Sequence, residues 1–152
     1  RKKSTKAEKQ KSRRRIMSSI SKVYYQGDLR TRNMHINSGE VILTDAPTDN
    51  NGKGQAFSPT DLVATSTANC MLTIMGIFAS KRGFKIEGTY AEVQKEMASN
   101  PRRISRIGID IYYPTLNIDD KLISLMEKAA MNCPVIKSLS PQIQKDINFH
   151  KK

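Results

Sequence analysis

The chain has 152 residues, a formal net charge of +12 and only two cysteines, Cys70 and Cys133. At this length about two-thirds of the surface of the unfolded chain would be buried on folding, which is enough for one domain with a hydrophobic core. Neither cysteine belongs to a C-x-x-C pair, so the sequence excludes the zinc-ribbon and thioredoxin motifs.

The positive charge is concentrated in residues 1–16, a leader with nine basic residues and one acidic residue. It has no apolar stretch of the kind a secretory signal needs, and no aromatic residue that could stack on bases. We therefore expect an appendage, either flexible or of foreign origin, followed by a single domain over residues 17–152. An arm for nucleic acid or acidic surfaces is the alternative, although we do not expect nucleic acid to be a partner.

The residues after the leader alternate between polar and apolar side chains, which predicts strands. Strand signals cover residues 23–37, and Asn37-Ser38-Gly39 predicts a hairpin turn because glycine accepts positive φ. Residues 40–44 form the predicted return strand, and residues 45–57 have the composition of a loop.

Ser58-Pro59-Thr60-Asp61 predicts the start of a helix. Ser58 can cap free N–H groups, Pro59 fits the first helical position, and Asp61 completes a capping box. The predicted helix ends near residue 82, before Gly83, and is apolar on nearly every face, as in a helix enclosed by other elements. Because a monomer of this size would leave much of that surface exposed, we expect a homodimer.

The rest of the chain predicts, in order, strands over residues 85–97 and 102–113, a helix over 118–131, a helical turn over 137–139 and a strand over 141–149. In the second of these strands, isoleucines at alternate positions face one side. This order of elements indicates an α+β fold with a mostly antiparallel sheet rather than alternating βαβ units.

Residues 62–79 come closest to a membrane span, but they contain Thr65, Asn69 and Thr73 among other polar residues, so we expect no association with a membrane. Because the sequence carries no export signal, we expect a cytoplasmic protein. Thiols stay reduced in the cytoplasm, where a disulfide is more often catalytic or transient than structural.

The surroundings of the two cysteines suggest thiols that could meet in the fold. Cys70 lies on the apolar helix among small polar residues, and Cys133 precedes Pro134 at a helix start, which would stabilise a thiolate. An inert buried thiol and a residue that only fills a helix break are the alternatives. A metal set with His35 and His150 lacks paired local ligands, and His150 belongs to a tail that we expect to be solvated, so we expect no metal and no cofactor.

Three features together resemble the OsmC-like family, which comprises osmotically inducible protein C and the organic hydroperoxide resistance proteins. These are Ser58-Pro59-Thr60-Asp61-Leu62-Val63 leading into Asn69-Cys70, the motif Asn132-Cys133-Pro134-Val135, and the order of elements over residues 19–150. The resemblance implies an intertwined homodimer in which sheets from both chains enclose two long helices. It also implies an oxidoreductase of oxidative stress defence, an antioxidant peroxidase acting on organic hydroperoxides.

The resemblance assigns Cys70 as the peroxidatic cysteine and Cys133 as the resolving one. A thiolate attacks the peroxide, the second thiol condenses with the resulting sulfenic acid, and an external dithiol reduces the disulfide. An apolar pocket lined by Met71, Ile74 or Phe57 would suit an alkyl peroxide. The alternative is a non-enzymatic protein of the same family that binds a small apolar ligand in a cleft at the dimer interface.

In the best-studied branches of that family a glutamate directly follows the helix proline, and an arginine pairs with it over the reactive cysteine. Here Thr60 follows Pro59, and Asp61 comes one place later. One position turns a helical side chain by about 100°, and capping alone already accounts for Asp61. The remaining catalytic candidates are therefore Asp61 with Arg30 or Arg32, which lie on an early predicted strand.

Overall fold

A computed structural model describes residues 18–152 of the protein. The basic leader, residues 1–16, lies outside them, so the predictions about it stay predictions. The described residues form two compact units, 18–56 and 57–152. They have a mixed α+β structure with two three-stranded sheets and two longer helices, in agreement with the predicted fold class.

The elements are, in chain order, β1 (Ser21–Gly27), β2 (Arg30–His35), β3 (Val41–Asp45), α1 (Pro59–Ser80), β4 (Tyr90–Ser99), β5 (Arg102–Tyr113), α2 (Asp120–Met131), α3 (Pro134–Ser138) and β6 (Gln144–Lys151). The predicted strand region 23–37 contains two strands, β1 and β2, β6 begins three residues after its predicted start, and β4 begins five residues after its predicted start at residue 85. The chain first makes a turn there, in which Thr89 N–H donates to the Ile86 carbonyl at 3.0 Å and Gly88 adopts a φ of 90°. That φ favours glycine, which has no Cβ.

The N-terminal unit is an antiparallel sheet with the order β1-β2-β3. The predicted hairpin turn joins β2 to β3, where Gly39 adopts a φ of 77° and donates to the His35 carbonyl at 2.9 Å. After β3 the chain makes a loop whose two ends are held together by Asp45, because its Oδ2 accepts the Gln55 N–H at 3.0 Å.

The C-terminal unit contains the second sheet, with the order β4-β5-β6. β4 and β5 pair antiparallel, as predicted, whereas β5 and β6 pair parallel. Parallel neighbours need a crossover connection, and α2 with α3 provides it. The fold is therefore mostly antiparallel with one parallel pairing.

The hydrophobic core of this unit lies between the sheet and the helices. The isoleucines of β5 alternate into it as predicted, and α1 contributes one of its faces. The core residues from these two elements are Ala64, Ala68, Met71, Met75, Ile107, Ile109, Ile111 and Tyr113. By length and composition α1 could also cross a membrane, a test that the core helix of a soluble protein passes as well.

Candidate functional site

The helix that carries Cys70 begins with the capping box that the sequence predicts. Ser58 Oγ accepts the Asp61 N–H at 3.1 Å, and Asp61 Oδ2 accepts the Ser58 N–H at 2.7 Å. Pro59 occupies the first turn, where no N–H partner is needed. Ser58, Pro59 and Asp61 together fix the first turn of α1.

Asp61 has a second partner, since its Oδ1 lies 2.7 Å from Lys95 Nζ on β4. Burial raises the pKa of Asp61, but the hydrogen bonds from Lys95 and Ser58 together lower it more. Cys70 lies nine residues further along α1, about 13 Å along the helix axis. The carboxylate is therefore engaged at the helix start and is not placed beside Cys70 of its own chain.

The structure brings Cys70 and Cys133 together, because α1 packs against the short helix α3 that Cys133 begins. Both are free thiols whose side chains interact, and Cys70 is partly exposed whereas Cys133 is 0% exposed. Cys133 caps α3, and its Sγ accepts the Ile136 N–H at 3.4 Å. Residues 63 positions apart in sequence therefore form one site.

The pKa of the Cys133 thiol is raised, first by burial and then by the neighbouring Cys70, whereas the N–H groups of Ile136 and Val135 lower it. The expectation that the helix start would stabilise a thiolate at Cys133 is therefore wrong in its net direction. The physical reason is that α3 has only five residues and the sulfur is fully buried. Cys133 is accordingly held as a protonated thiol.

The hydroxyl groups around Cys70 are already occupied by the backbone of α1. Ser66 and Thr67 both donate to the Val63 carbonyl, at 2.8 and 3.1 Å, and Thr73 donates to the Asn69 carbonyl at 2.8 Å. This arrangement is the ordinary one for serine and threonine inside a helix. These side chains therefore do not donate to the cysteine.

The two candidate arginines lie on β2 in the N-terminal unit. Arg30 binds Asp45 through two nitrogens, Nε at 2.7 Å and Nη2 at 2.8 Å, and Nη2 also donates to Gln55 at 3.1 Å. Arg30 hydrogen bonding holds the pKa of Asp45 below its ordinary value, although burial opposes it. Arg32 forms no ion pair with any residue of 18–152, so its guanidinium is the less committed of the two.

A cavity of about 620 Å³ opens beside the C-terminal half of α1, where Leu72, Gly76, Phe84 and Ile86 line it. The sequence analysis does not predict this cavity. A glycine inside a helix is the signal in the sequence that could have indicated it. In the structure, a Cβ added at Gly76 would meet no atom within 4 Å. Of the predicted pocket residues, Met71 is fully buried in the core. Phe57 is 53% exposed and borders a smaller cavity of about 200 Å³.

Within residues 18–152, no cluster of three or more histidine, cysteine, aspartate or glutamate side chains could hold a metal ion. His35 Nδ1 is hydrogen bonded to Ser38 at 2.7 Å. The sequence analysis expects His150 in a solvated tail. In the structure His150 lies on β6, where its ring stacks on Tyr112 and its Nε2 lies 2.8 Å from Asp110 Oδ1.

Comparison with known proteins finds the family model for OsmC-like protein over residues 52–148. The crystal structure of a protein from Psychrobacter arcticus, provisionally assigned to osmotic stress induction and detoxification response, has 51% identity and a TM-score of 0.83, covering 88% of this chain and 97% of its own. An OsmC-like protein from Mycoplasma pneumoniae has 14% identity and a TM-score of 0.73, covering 90% and 98%.

An organic hydroperoxide resistance protein from Legionella pneumophila has 14% identity and a TM-score of 0.65, covering 88% of this chain and 97% of its own. At such identities the likeness concerns the fold alone. No curated protein matches the chain.

Proposed function

The chain belongs to the OsmC-like family, and on this premise we propose that it is a thiol-dependent peroxidase that reduces organic hydroperoxides through Cys70 and Cys133. The interaction of the two free thiols is the observation that carries the proposal. Structural neighbours from Legionella pneumophila and Elizabethkingia anophelis, which share the fold, are named organic hydroperoxide resistance proteins, and organic hydroperoxides are therefore the substrate class that we propose to test.

The difference in burial between the two cysteines supports the assignment of their roles. A peroxide can approach Cys70, which is partly exposed, whereas Cys133 is fully buried and its raised pKa keeps it protonated. Since the thiolate is the nucleophile, the accessible thiol reacts first and the buried one second. Cys70 is therefore the peroxidatic residue in this proposal and Cys133 the resolving residue.

The reaction then has three steps. The Cys70 thiolate attacks the distal peroxide oxygen, the O–O bond breaks, and sulfenic acid forms while the alkoxide takes a proton from water and leaves as an alcohol. The Cys133 thiol condenses with the sulfenic acid, so that the S–S bond forms, the S–O bond breaks and water leaves. An external dithiol reduces the disulfide by exchange and is itself oxidised.

We propose further that the protein acts as a homodimer whose sheets enclose the helices. Exposed apolar residues on both units support this assembly: Val63 and Ile77 on α1 are 40% and 47% exposed, and Val23 and Tyr25 on β1 are 62% and 69% exposed. Large apolar side chains exposed at this many positions of one chain are typical of surfaces that a partner covers. A cytoplasmic location, where dithiol reductants are abundant, is part of the same proposal.

Consumption of tert-butyl hydroperoxide with dithiothreitol as reductant tests the proposal. We expect Cys70→Ser to abolish consumption, and Cys133→Ser to react once and then to accumulate oxidised Cys70. In the wild-type protein, mass spectrometry of non-reduced peptides should show a Cys70–Cys133 disulfide. Consumption by Cys70→Ser at the wild-type rate would overturn the mechanism.

Ligand binding without catalysis is the second candidate function, and the cavity of about 620 Å³ favours it. It predicts that an apolar fluorescent probe binds equally well to wild type and to the variant in which both cysteines are serine. Probe binding without any peroxide turnover by the wild-type protein would favour this second function.

A further inference from the structure

We propose that the outer face of the second sheet binds small organic cations, of the alkylammonium and quaternary ammonium class, on a column of stacked rings. The rings are those of Tyr90, Tyr112 and His150, and we call them the aromatic column. Such binding does not depend on the thiol chemistry proposed above, since Cys70 packs against the core on the other side of this sheet.

The register of the three strands assembles the aromatic column. Tyr90 on β4 pairs with Tyr112 on β5, and Tyr112 pairs with His150 on β6. The rings stack at centroid distances of 5.0 and 4.6 Å, with interplanar angles of 18° and 19°. Ile111 and Tyr113, the chain neighbours of Tyr112, are buried in the core. Because side chains alternate along a strand, the column faces away from the core.

One cation of the chain itself already contacts this column. Lys152 Nζ lies 4.4 Å from the centroid of the Tyr90 ring and 5.6 Å from that of Tyr112, within the distance of about 6 Å at which a ring attracts an ammonium. The backbone of Lys152 is held separately, because its N–H donates to the Tyr113 carbonyl at 3.0 Å and its carbonyl accepts the Thr115 hydroxyl. The ammonium can therefore leave the rings while the backbone stays in place.

Acidic side chains beside the column favour a positive charge there. Glu92 and Asp110 pair with each other in the next row of the same face, two residues along from Tyr90 and Tyr112. Burial is the largest cause that raises the pKa of Tyr112, and Glu92 and Asp110 raise it further, whereas Lys152 lowers it. The rings thus lie in the field of two carboxylates.

Asp110 also orients one end of the column. Its Oδ1 lies 2.8 Å from His150 Nε2 and accepts the Asn148 side-chain N–H at 3.1 Å. The His150 ring is thereby held against Tyr112 before a ligand arrives. A site whose side chains are already ordered loses less conformational entropy on binding.

A small cation with one charge suits this surface better than a lysine-rich protein partner. The chain carries a formal net charge of +12, so a polycation is repelled over a long range and a single charge much less. Further along the same face, Glu96 and Asp146 are both paired with Arg106, which neutralises part of their charge. The acidic surface beside the column is therefore small.

Titration with choline, followed by nuclear magnetic resonance of the tyrosine and histidine rings, tests the inference. The control ligand is the neutral analogue in which carbon replaces the quaternary nitrogen, and we expect it to bind about fivefold more weakly than choline. The Lys152 ammonium competes for the rings. We therefore expect Lys152→Ala to bind choline about threefold to sixfold more tightly than wild type, as expected for release of an exposed cation–π contact.

Tyr90→Phe and Tyr90→Leu, each combined with Lys152→Ala, form a matched pair. Phenylalanine keeps the ring face, so we expect its affinity to stay within about twofold of Lys152→Ala alone, whereas leucine should lose about fivefold. Tyr25→Leu in the same background is the control, since Tyr25 is an exposed tyrosine of β1, and it should leave the affinity unchanged. Circular dichroism and thermal unfolding should show all variants folded.

Equal binding of choline and its neutral analogue would overturn the inference, because the contact would then be hydrophobic only. Equal affinities of Tyr90→Phe and Tyr90→Leu would overturn it too, as would Lys152→Ala that binds choline no better than wild type. Binding of an oligolysine peptide without binding of choline would assign the face to a basic protein partner instead. None of these measurements involves a peroxide or a thiol, so their outcomes are independent of the proposed peroxidase activity.

Discussion

Substitution of Asp61 tests how α1 begins, because one carboxylate makes two contacts there. Oδ2 accepts the Ser58 N–H at 2.7 Å, and Oδ1 lies 2.7 Å from Lys95 Nζ. Loss of a capping interaction costs about 1 kcal/mol, and a partly exposed ion pair contributes about 0.5 kcal/mol. We therefore expect Asp61→Ala to lower the free energy of unfolding by about 1.5 kcal/mol, and the melting temperature by about 5 °C for a domain of this size.

Unfolding by urea and by heat measures this loss, with Asp61→Asn as the companion variant. Asparagine keeps an acceptor for the Ser58 N–H but not the charge, so we expect about 0.5 kcal/mol. The pKa of Asp61 in the folded protein lies below its ordinary value of 3.8, because the bonds from Lys95 and Ser58 outweigh burial. The carboxylate thus stabilises the fold above pH 3.8 and loses this contribution as the pH falls through the lowered pKa.

The difference in stability between wild type and Asp61→Asn should accordingly shrink as the pH falls below that value. An unchanged melting temperature in Asp61→Ala would refute the capping argument. If the same variant also failed to react with peroxide at Cys70, Asp61 would be a catalytic residue and not a helix cap. We expect the reverse, a less stable protein whose Cys70 reacts at the wild-type rate.

Two further substitutions test the core. Met71→Ala removes a fully buried side chain of α1, so we expect a loss of about 2–5 kcal/mol in urea unfolding, whereas Thr73→Val on the exposed face should change little. Tyr113→Phe removes the hydroxyl that donates to Glu127 at 2.8 Å, at a cost of about 1 kcal/mol. Burial and Glu127 raise the pKa of Tyr113 to about 12, so the variant should also lack the last tyrosine step in an ultraviolet pH titration.

The elements that the sequence predicts well are those whose causes are local. The capping box of α1 joins Ser58 to Asp61, three positions away, and the hairpin turn at Gly39 depends on one φ angle. The alternation of isoleucines along β5 likewise follows from the period of a strand. Each of these features is determined by a few neighbouring residues, so it can be predicted from a single sequence.

The features that the sequence could not supply depend on partners far along the chain. Lys95 binds Asp61 from 34 positions away, and β6 pairs with β5 in parallel only because of how α2 and α3 return the chain. Arg30 is a catalytic candidate because the family resemblance calls for an arginine, whereas its bond to Asp45 depends on the register of β2 and β3. Such pairings are tertiary contacts, and the periodicity and composition of the sequence do not predict them.

Two opposing effects act on the pKa of Cys133: the helix start, which is local in sequence, and burial, which depends on residues far along the chain. A helix start favours a thiolate by about 0.3–1 kcal/mol at an exposed site, whereas desolvation of a fully buried ionised group costs several times more. Because Cys133 is fully buried, burial prevails and raises the pKa of its thiol. A buried thiol that keeps its proton beside an accessible one fixes the order of the proposed reaction: the peroxide meets Cys70, and Cys133 acts only after the sulfenic acid has formed next to it.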